Sequence, residues 1–317
     1  MNLRQLKTLC EVVEQGLKIS AAAATLHRSQ PSITRQVHEL EDELGVQIFV
    51  RKRNRILELT PQGKDILAIA RRILQETNNM RRVGEELAHE SRGEFTVATT
   101  HTQARYTLPP VIRRFMGDHP LVKLSLRQGT PVQCCEMVAR GQADIAICTE
   151  TARESAELIQ IPCYRLNRSV VTPPAHALLR IRPLTLEAIA RYPIITYDEG
   201  FSARAVLNRA FAQQGLQPTV ILSAIDADVS KAYVEMGLGI AILATIAFDA
   251  RRDSGLRRVD ASRLFEASRL SVVARAQSYL RGYMLTFVRL FAPQLKVGDI
   301  EQALAGKPQR KRTLPEI

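Results

Sequence analysis

Apolar residues recur at helical spacing at the start of the chain and predict a set of short helices. The apolar residues that share one face of the first helix are Leu3, Leu6, Cys10 and Val13. This helix should end near Gly16. Ser20 is a suitable N-cap for a second, alanine-rich helix, which we expect over residues 21–26.

A third helix should begin after Ser29, which we interpret as its N-cap, with Pro31 in its first turn and Gly45 at its end. Its apolar residues lie three or four apart and so share a face: Ile33, Val37, Leu40 and Leu44. A short helix, a tight turn and a longer helix with a polar front half are typical of a helix-turn-helix, whose front enters the DNA major groove. The candidate DNA-contacting residues of this front are Ser29, Gln30, Pro31, Ser32, Thr34, Arg35 and His38.

The base or phosphate that each side chain contacts is left open by the sequence. Arg35 suits guanine or a phosphate, and Gln30 suits adenine or the DNA backbone. A three-helix bundle with a merely solvated polar face is the alternative. The next segment favours DNA binding, because residues 46–50 and 56–59 predict the two strands of a hairpin. Its basic tip would lie where a wing meets phosphates, and its cations are Arg51, Lys52, Arg53 and Arg55.

A long helix is predicted after the hairpin, with Thr60 as its cap, Pro61 as its first residue and its end near Leu87. Its apolar residues follow a coiled-coil spacing and are Ile66, Ile69, Ile73, Met80, Val83 and Leu87. We expect this seam to pair with the same helix of a second chain, which would place two recognition helices about 34 Å apart. Packing of a lone helix on its own domain is the alternative.

The pattern changes after Gly93 to short apolar runs that alternate with helical stretches. The strands predicted before Pro162 are 95–99, 121–126 and 143–149, and the helices between them are 106–116 and 132–140. The later strands are predicted near 169–172, 194–197, 220–224 and 240–243. Such alternation predicts parallel βαβ units in doubly wound sheets. We expect two subdomains, with the chain returning to the first near 270–291.

The predicted architecture is therefore a multidomain chain that combines α+β and α/β parts. Its parts are a winged helix-turn-helix (1–59), a linker helix (60–91), a two-lobed ligand-binding domain of the periplasmic-binding-protein type (92–293) and a C-terminal tail (294–317). The ligand-binding domain divides into subdomain I, about 92–162 and 268–293, and subdomain II, about 163–267.

Polar residues collect at the predicted strand ends, where ligands bind in open α/β sheets. The first strand runs into Thr99, Thr100, His101, Thr102 and Gln103. The strand predicted at 143–149 ends at Thr149, and the one at 194–197 runs from Tyr197 into Gly200, Phe201 and Ser202. The strand predicted at 220–224 precedes Asp226 and Asp228. Hydroxyl, amide and backbone N–H groups without a neighbouring lysine suit a small anion or a carboxylate-bearing metabolite. Any one of these side chains, taken alone, is equally suited to capping a helix.

Composition adds a charge argument and excludes several classes of protein. The formal charge of +12 favours a polyanionic partner. We interpret a second basic cluster, Lys307, Arg310, Lys311 and Arg312, as a solvated tail. The five cysteines lack metal-ligand spacing and are interpreted as reduced, buried thiols, so we expect no metal or cofactor. Without a signal peptide or an apolar run near the roughly 20 residues of a membrane span, we expect a cytoplasmic protein with no membrane partner.

The run from Ser20 to Leu67 resembles the DNA-binding domain of the LysR family almost position by position. The motifs SQPSIT, LEDELG and LTPQG and the basic wing carry this resemblance. It implies a transcriptional regulator that binds double-stranded promoter DNA. It also implies a homodimer formed through the linker helix, association into a homotetramer, and RNA polymerase as a further partner.

The second half resembles the effector domains of LysR-type activators of cysteine biosynthesis and sulfur assimilation, through TTHTQARYTLP, GFSAR and DADVSKAYVEMGLG. The resemblance implies an effector such as acetylserine, with sulfate or thiosulfate able to occupy the pocket. The candidate effector-binding residues are Thr99, Thr100, Thr102, Gln103, Thr149, Leu166 and Ser202. Ser202 lies where the family has Thr, and keeps the hydroxyl. Leu166 lies where the family has Trp, and the missing ring should enlarge or dry the pocket.

Three alternatives remain at this point. The first is a regulator of a different sulfur or small-anion regulon. The second is an enzyme that uses Cys148 and His101, although the chain lacks the GxSxG, P-loop, HExxH and GxGxxG motifs. The third is a stand-alone solute-binding protein, which the missing signal peptide and the DNA-binding half disfavour.

Overall fold

The structure is a computed structural model that describes residues 1–52, 55–88, 92–150, 157–308 and 313–317. The chain divides into two compact units, Met1–Ala88 and His89–Ile317. The first unit consists of helices and a two-stranded hairpin, and the second contains two five-stranded sheets. Within the described ranges, no helix is both long enough and apolar enough to cross a membrane.

Three helices form the start of the first unit: α1 (Leu3–Glu14), α2 (Ile19–Thr25) and α3 (Gln30–Leu44). The predicted cap at Ser20 is wrong, because Lys18 is the N-cap of α2 and Ser20 lies inside the helix. Gly16 and Leu17 both have positive φ angles and turn the chain earlier than expected. Ser29 is the N-cap of α3, as predicted, and Gly45 ends that helix in the left-handed conformation.

The hairpin consists of β1 (Phe49–Lys52) and β2 (Arg55–Leu59), which pair antiparallel. The first strand begins three residues later than predicted and continues through two of the predicted tip residues. The buried Glu41 carboxylate explains the late start, because Glu41 Oε1 accepts hydrogen bonds from the backbone nitrogens of Ile48 (2.8 Å) and Phe49 (3.1 Å). These amides are satisfied by a side chain instead of a partner strand.

The long helix α4 spans Pro61–Ala88, and Thr60 Oγ1 accepts from the backbone nitrogen of Gly63 at 2.8 Å as its cap. Its first half packs on the core of its own unit, since Leu67 and Ala70 are buried there and Ile66 and Ile73 lie against the same cluster. In the N-terminal half of α4, the predicted coiled-coil face therefore packs against the core of its own chain. The seam residues that stay exposed are Ile69, Met80 and Val83. Leu87 has no described side chain.

The first subdomain is built on a sheet with the strand order β4, β3, β5, β12, β6. Its strands are β3 (Gly93–Thr99), β4 (Val122–Gln128), β5 (Ile145–Thr149), β6 (Leu158–Leu166) and β12 (Ser268–Arg275). Its helices are α5 (Leu108–Asp118), α6 (Pro131–Ala139), α10 (Gly282–Phe291) and α11 (Val297–Leu304). Phe95, Phe115 and Phe287 pack together at the centre of its core.

The second subdomain has a sheet with the order β11, β7, β10, β8, β9. Its strands are β7 (Arg168–Thr172), β8 (Ile194–Tyr197), β9 (Val220–Ala224), β10 (Ile240–Ala244) and β11 (Arg257–Asp260), and its α-helices are α7 (Leu186–Ala190), α8 (Ser202–Gln213) and α9 (Ala227–Glu235). The predicted parallel units are present, since β3 pairs parallel with β4 and β5, and β8 with β9 and β10, but both sheets are mixed. β12 runs antiparallel to β5 and β6, and β7 runs antiparallel to β10 and β11, because the chain crosses between the subdomains and re-enters each sheet from the other end.

The subdomain boundary predicted at residue 163 is also wrong. β6 pairs with β12 along its whole length, from Leu158 to Leu166, so residues 163–166 belong to the first sheet. The first crossing lies between Leu166 and Arg168. The second lies between the end of β11 at Asp260 and the start of β12 at Ser268.

Residues beyond 293 are not a separate tail, contrary to the prediction. Ile300, Ala303 and Leu304 of α11 are buried in the core of the first subdomain. The last residues pair with β6: the backbone nitrogen of Arg165 donates to Pro315 O (2.8 Å), and that of Ile317 donates to Arg165 O (2.9 Å). The predicted basic cluster lies mostly outside the described residues, as Arg310, Lys311 and Arg312 do.

Candidate functional site

The front of α3 presents a shallow, largely exposed surface. The residues that line it are Gln30, Pro31, Thr34, Arg35 and His38. The Arg35 side chain is 81% exposed and held by Glu39, whose Oε1 lies 2.7 Å from Arg35 Nε. Ser29 and Ser32 flank this surface, and the Ser29 hydroxyl makes no capping hydrogen bond. All seven residues predicted on this helix therefore lie at its front.

The cations of the hairpin differ in what they contact. Lys52 and Arg55 are exposed near its tip, whereas Arg53 lies outside the described residues. Arg51 instead donates to both carboxylate oxygens of Glu41, at 3.1 and 2.7 Å. Its side chain is only 20% exposed. Arg51 thus neutralises the buried carboxylate that shapes the start of the hairpin.

A cavity of about 30 Å³ lies in the cleft between the two subdomains of the second unit. Its lining residues from the first subdomain are Thr100, Thr102, Gln103, Thr149, Leu166 and Ser268. From the crossing and the second subdomain it receives Asn167, Arg168, Tyr197, Phe201, Ser202, Ala203 and Ala244. Six of the seven predicted effector-binding residues therefore meet at one cavity, although they come from four separate segments.

Thr99 is the exception. It is fully buried and its hydroxyl donates to Ile147 O at 2.8 Å, which ties β3 to β5. The alternation of a strand explains the error, because Thr99 and Thr100 point to opposite sides of the sheet end.

The helical segment after β3 begins at the cavity. It contains a wide π-helical turn, Gln103–Thr107, before α5. Thr107 Oγ1 donates to Gln103 Oε1 at 2.6 Å, so the amide oxygen of this cavity-lining residue already accepts a hydrogen bond. Thr102 Oγ1 lies 3.3 Å from the hydroxyl of Tyr197. Across the cleft, Ser202 Oγ donates to Thr149 Oγ1 at 2.8 Å.

Arg168 is the charged residue at the cavity that sequence reasoning missed. The predicted strand began one residue later, and the pocket was expected to contain uncharged donors. Arg168 is 4% exposed, and its guanidinium donates to Glu266 O and to Ser268 Oγ, the latter at 2.6 Å. Burial lowers its pKa from the ordinary value, although arginine stays charged in proteins. The available signal was a cation next to Ser169 and the apolar pair Val170 and Val171, because a charge at the start of a buried strand needs a partner.

His101, Asp226 and Asp228 form a cluster of potential metal ligands, whose ligand atoms lie within 4.8 Å of one another. The cluster already contains its own counter-charges. Lys231 Nζ lies 2.9 Å from Asp228 Oδ1, and Arg105 Nε lies 3.3 Å from Asp228 Oδ2. His101 Nε2 lies 3.0 Å from Asp226 Oδ2. These contacts make it an ion-pair network between the subdomains.

The cysteines have the properties of structural thiols. Cys148, the nucleophile of the enzyme alternative, is fully buried, and its Sγ lies 4.0 Å from Cys135 Sγ. The hydrogen bond with Cys135 and burial both raise the pKa of Cys148 well above its ordinary value. Burial likewise raises the pKa of Cys134 to about 12. Thiols that stay protonated are poor nucleophiles and poor metal ligands.

Comparison with known proteins gives matches for both units. The family "Bacterial regulatory helix-turn-helix protein, lysR family" matches residues 3–64, and the "LysR substrate binding domain" matches residues 88–296. The chain is 46% identical to the transcriptional regulator CysB of Burkholderia cenocepacia over 98% of this chain and 99% of that one. It is 44% identical to the regulator SsuR of the same organism, over 95% and 97% of the two chains.

Among solved structures, the cofactor-binding domain of the Cbl transcriptional regulator is similar to the second unit. It superposes with a TM-score of 0.65 at 39% identity, and the match covers 68% of this chain and 94% of that one. Relatives of this similarity along the whole chain, all of them named as transcriptional regulators, leave no place for the enzyme alternative.

Proposed function

The chain belongs to the LysR family of bacterial transcriptional regulators, and from that membership we propose that it activates genes of cysteine biosynthesis and sulfur assimilation when a small anion binds its cleft. Its DNA-binding unit and its regulatory relatives make it a transcription factor rather than an enzyme. Acetylserine is the proposed effector, and sulfate or thiosulfate is proposed to occupy the same pocket. The proposed location is the cytoplasm.

The observation that carries the proposal is the buried Arg168 at the cavity. The contacts that described residues make to its guanidinium are to a carbonyl and a hydroxyl, which are neutral acceptors. The carboxylates of Glu150 and Glu266 act on Arg168 through space, but its described hydrogen bonds all go to neutral acceptors. Burying a cation is costly, and an anionic ligand would add a charged acceptor in direct contact with it. The hydroxyls of Thr100 and Thr102 and the amide of Gln103 add neutral donors around it.

Operator binding is proposed to use the front of α3 and the exposed cations of the hairpin. The candidates on the helix are Ser29, Gln30, Pro31, Ser32, Thr34, Arg35 and His38, and those on the hairpin are Lys52, Arg53 and Arg55. Arg51 is a weaker candidate than we expected from the sequence, because both Glu41 oxygens hold its guanidinium. A phosphate would have to compete with this buried carboxylate.

Dimerisation is proposed to use the exposed face of α4. Ile69 (47%), Met80 (75%) and Val83 (39%) are exposed and follow a coiled-coil spacing. Covering them with the same helix of a second chain would bury apolar surface and pair two recognition helices. Association of dimers into a tetramer and contact with RNA polymerase are proposed on the family's behaviour.

The proposed mechanism is a shift between two arrangements of the subdomains. An anion changes the balance only if it binds one arrangement more tightly than the other. Because the cavity joins residues from both subdomains, a ligand there favours the arrangement in which all its donors reach it at once. The new angle would alter the packing of the dimer and the bend of the DNA.

The test is a footprint of the full-length protein on a sulfur-assimilation promoter, with and without acetylserine, at constant ionic strength with chloride as the control anion. We expect acetylserine to change the footprint length and the DNA bend, and chloride to leave both unchanged. An identical footprint under both conditions would contradict the proposal.

A regulator of another sulfur or small-anion regulon is the second candidate. The near-equal identities to CysB (46%) and SsuR (44%) support it, as does the missing aromatic ring at Leu166. Calorimetry of the full chain with acetylserine, sulfate, thiosulfate and adenosine phosphosulfate separates the two. The tightest ligand identifies the effector class, and preference for an anion other than acetylserine would favour this candidate.

A further inference from the structure

The π-helical turn that lines the cavity also joins the two subdomains. Gln103 and Thr102 contribute to the cavity wall, whereas Arg105 and Tyr106 of the same segment contact the second subdomain. The Tyr106 ring, which belongs to the first subdomain in sequence, packs against the apolar cluster that contains Tyr197 and Val234. One short segment thus carries ligand-facing groups and a side chain inserted into the opposite subdomain.

The Tyr106 hydroxyl lies at the centre of a network of charged groups. It donates to Asp228 Oδ1 and accepts from Lys231 Nζ at 2.8 Å. Lys231 is 6% exposed and is fixed in turn by both oxygens of Asp253, at 2.9 and 3.0 Å, and by Ala247 O at 3.0 Å. Burial raises the pKa of Tyr106 to about 12, so the hydroxyl keeps its proton.

The lysine cannot follow Tyr106 when the cleft opens, because Asp253 and Ala247 hold it in the second subdomain. Opening would therefore remove a hydrogen-bond acceptor from a nearly buried ammonium and a donor from Asp228. Hydrogen bonds to charged groups are the stronger class of hydrogen bond in proteins. The contacts of His101 with Asp226 and of Arg105 with Asp228 reinforce the same side of the cleft.

We propose that Tyr106 is a positioning residue for effector binding: its hydroxyl, docked between Lys231 and Asp228, holds the π-helical turn so that Gln103 and Thr102 face the anion. This inference rests on the proposed function, because it assumes that the cavity is the effector site. Tyr106 does not line the cavity, so it acts through the turn and not through contact with the ligand.

The test compares Tyr106→Phe with Tyr164→Phe in the full-length protein. Both substitutions remove one hydroxyl and keep the ring. Tyr164 donates to Phe291 O at 2.6 Å within the first subdomain, so it is a matched control that does not cross the cleft. Calorimetry with sulfate should show about tenfold weaker binding for Tyr106→Phe and less than about twofold for Tyr164→Phe.

A double-mutant cycle separates positioning from general damage. If Tyr106 and Asp228 act as one unit, Tyr106→Phe with Asp228→Asn should bind sulfate no more weakly than the worse single variant. Additive losses would overturn the proposal, and so would equal sulfate affinities for Tyr106→Phe, Tyr164→Phe and the parent.

Hydrogen exchange without any ligand tests whether Tyr106 holds the π-helical turn, separately from the proposed function. In Tyr106→Phe, the amides of the π-helical turn and of the start of α9 should exchange faster, while those of β5 and β12 keep the parent rates. If no variant binds sulfate or acetylserine, the effector proposal fails, and this local exchange still tells whether Tyr106 holds the turn. Unchanged exchange at the turn would refute the positioning role.

Discussion

The front of α3 and the cleft of the second unit are both polar sites, but they are built in opposite ways. The helix surface comes from nine consecutive positions and its key side chain, Arg35, is 81% exposed. The cavity in the cleft is lined by six separate segments, and the cation among them, Arg168, is 4% exposed. An exposed site adapts to a partner that brings its own charge, whereas a buried site must be satisfied by its ligand or by its own fold. Substitutions should therefore have small, salt-dependent effects at the helix and large, specific effects at buried charges.

The largest expected effect is at Glu41, the buried charge behind the exposed surface. Glu41→Ala would leave the amides of Ile48 and Phe49 without their acceptor, and Arg51 without its carboxylate partner. We expect the free energy of unfolding of the DNA-binding unit to fall by about 3 kcal/mol, measured by denaturant unfolding. The exposed neighbour Asp42→Ala is the control, with an expected change below about 0.5 kcal/mol. Similar values for both variants would mean that the buried carboxylate does not hold the hairpin.

Arg168→Met tests the buried side of the comparison directly. Methionine fills much of the same volume and removes the charge, so sulfate binding should weaken about a hundredfold by calorimetry. Operator affinity without ligand should not change. Arg269→Met, on the exposed side of β12, is the matched control and should bind sulfate like the parent. If the two variants behave alike, Arg168 does not bind the anion.

Arg35→Ala probes the exposed surface. We expect operator affinity to fall about tenfold. A titration at several salt concentrations also shows whether Arg35 contacts a phosphate. Loss of one phosphate contact lowers the slope of log affinity against log salt concentration by about one. Arg4→Ala removes an exposed cation from α1 and should have little effect. Undiminished operator binding by Arg35→Ala would remove this side chain from the interface.

Removal of Lys307 to Ile317 should have the smallest effect on DNA binding, with operator affinity within a few-fold of the parent. The loss of the pairing between Arg165 and the last residues should lower the stability of the second unit by about 1 to 2 kcal/mol. Band-shift titration and thermal unfolding measure the two quantities. A large loss of operator affinity without loss of stability would make the basic run a DNA contact.

The sequence predicted local features well and failed where distant segments meet. The ends of α3 and the bounds of β8 and β9 follow from capping residues and apolar runs that act within a few residues. The late start of β1 depends on Glu41, which is eight positions away in sequence and visible only after folding. The placement of 163–166 and of the final residues depends on pairing with β12 and β6, whose partners lie over a hundred positions away.

The cleft shows the same limit. Thr100, Thr102 and Gln103 were found because polar side chains at a strand end are visible in the sequence. Arg168 was missed because its significance arises only when β7, the Glu266 carbonyl and Ser268 come together. Thr99 does not line the cavity, because neighbouring residues of a strand end face different sides.

Arg168 also connects the two chain crossings, since it starts β7 after the first crossing and donates to Glu266 and Ser268 at the second. If the proposed anion binds this guanidinium, one side chain both links the two crossings and contacts the ligand. Hydrogen bonds that the guanidinium gives to the anion would then be taken from the link between the crossings, and a stronger link would leave fewer donors for the anion. Under that proposal, a substitution that changes effector affinity through Arg168 would also change how firmly the two crossings are joined.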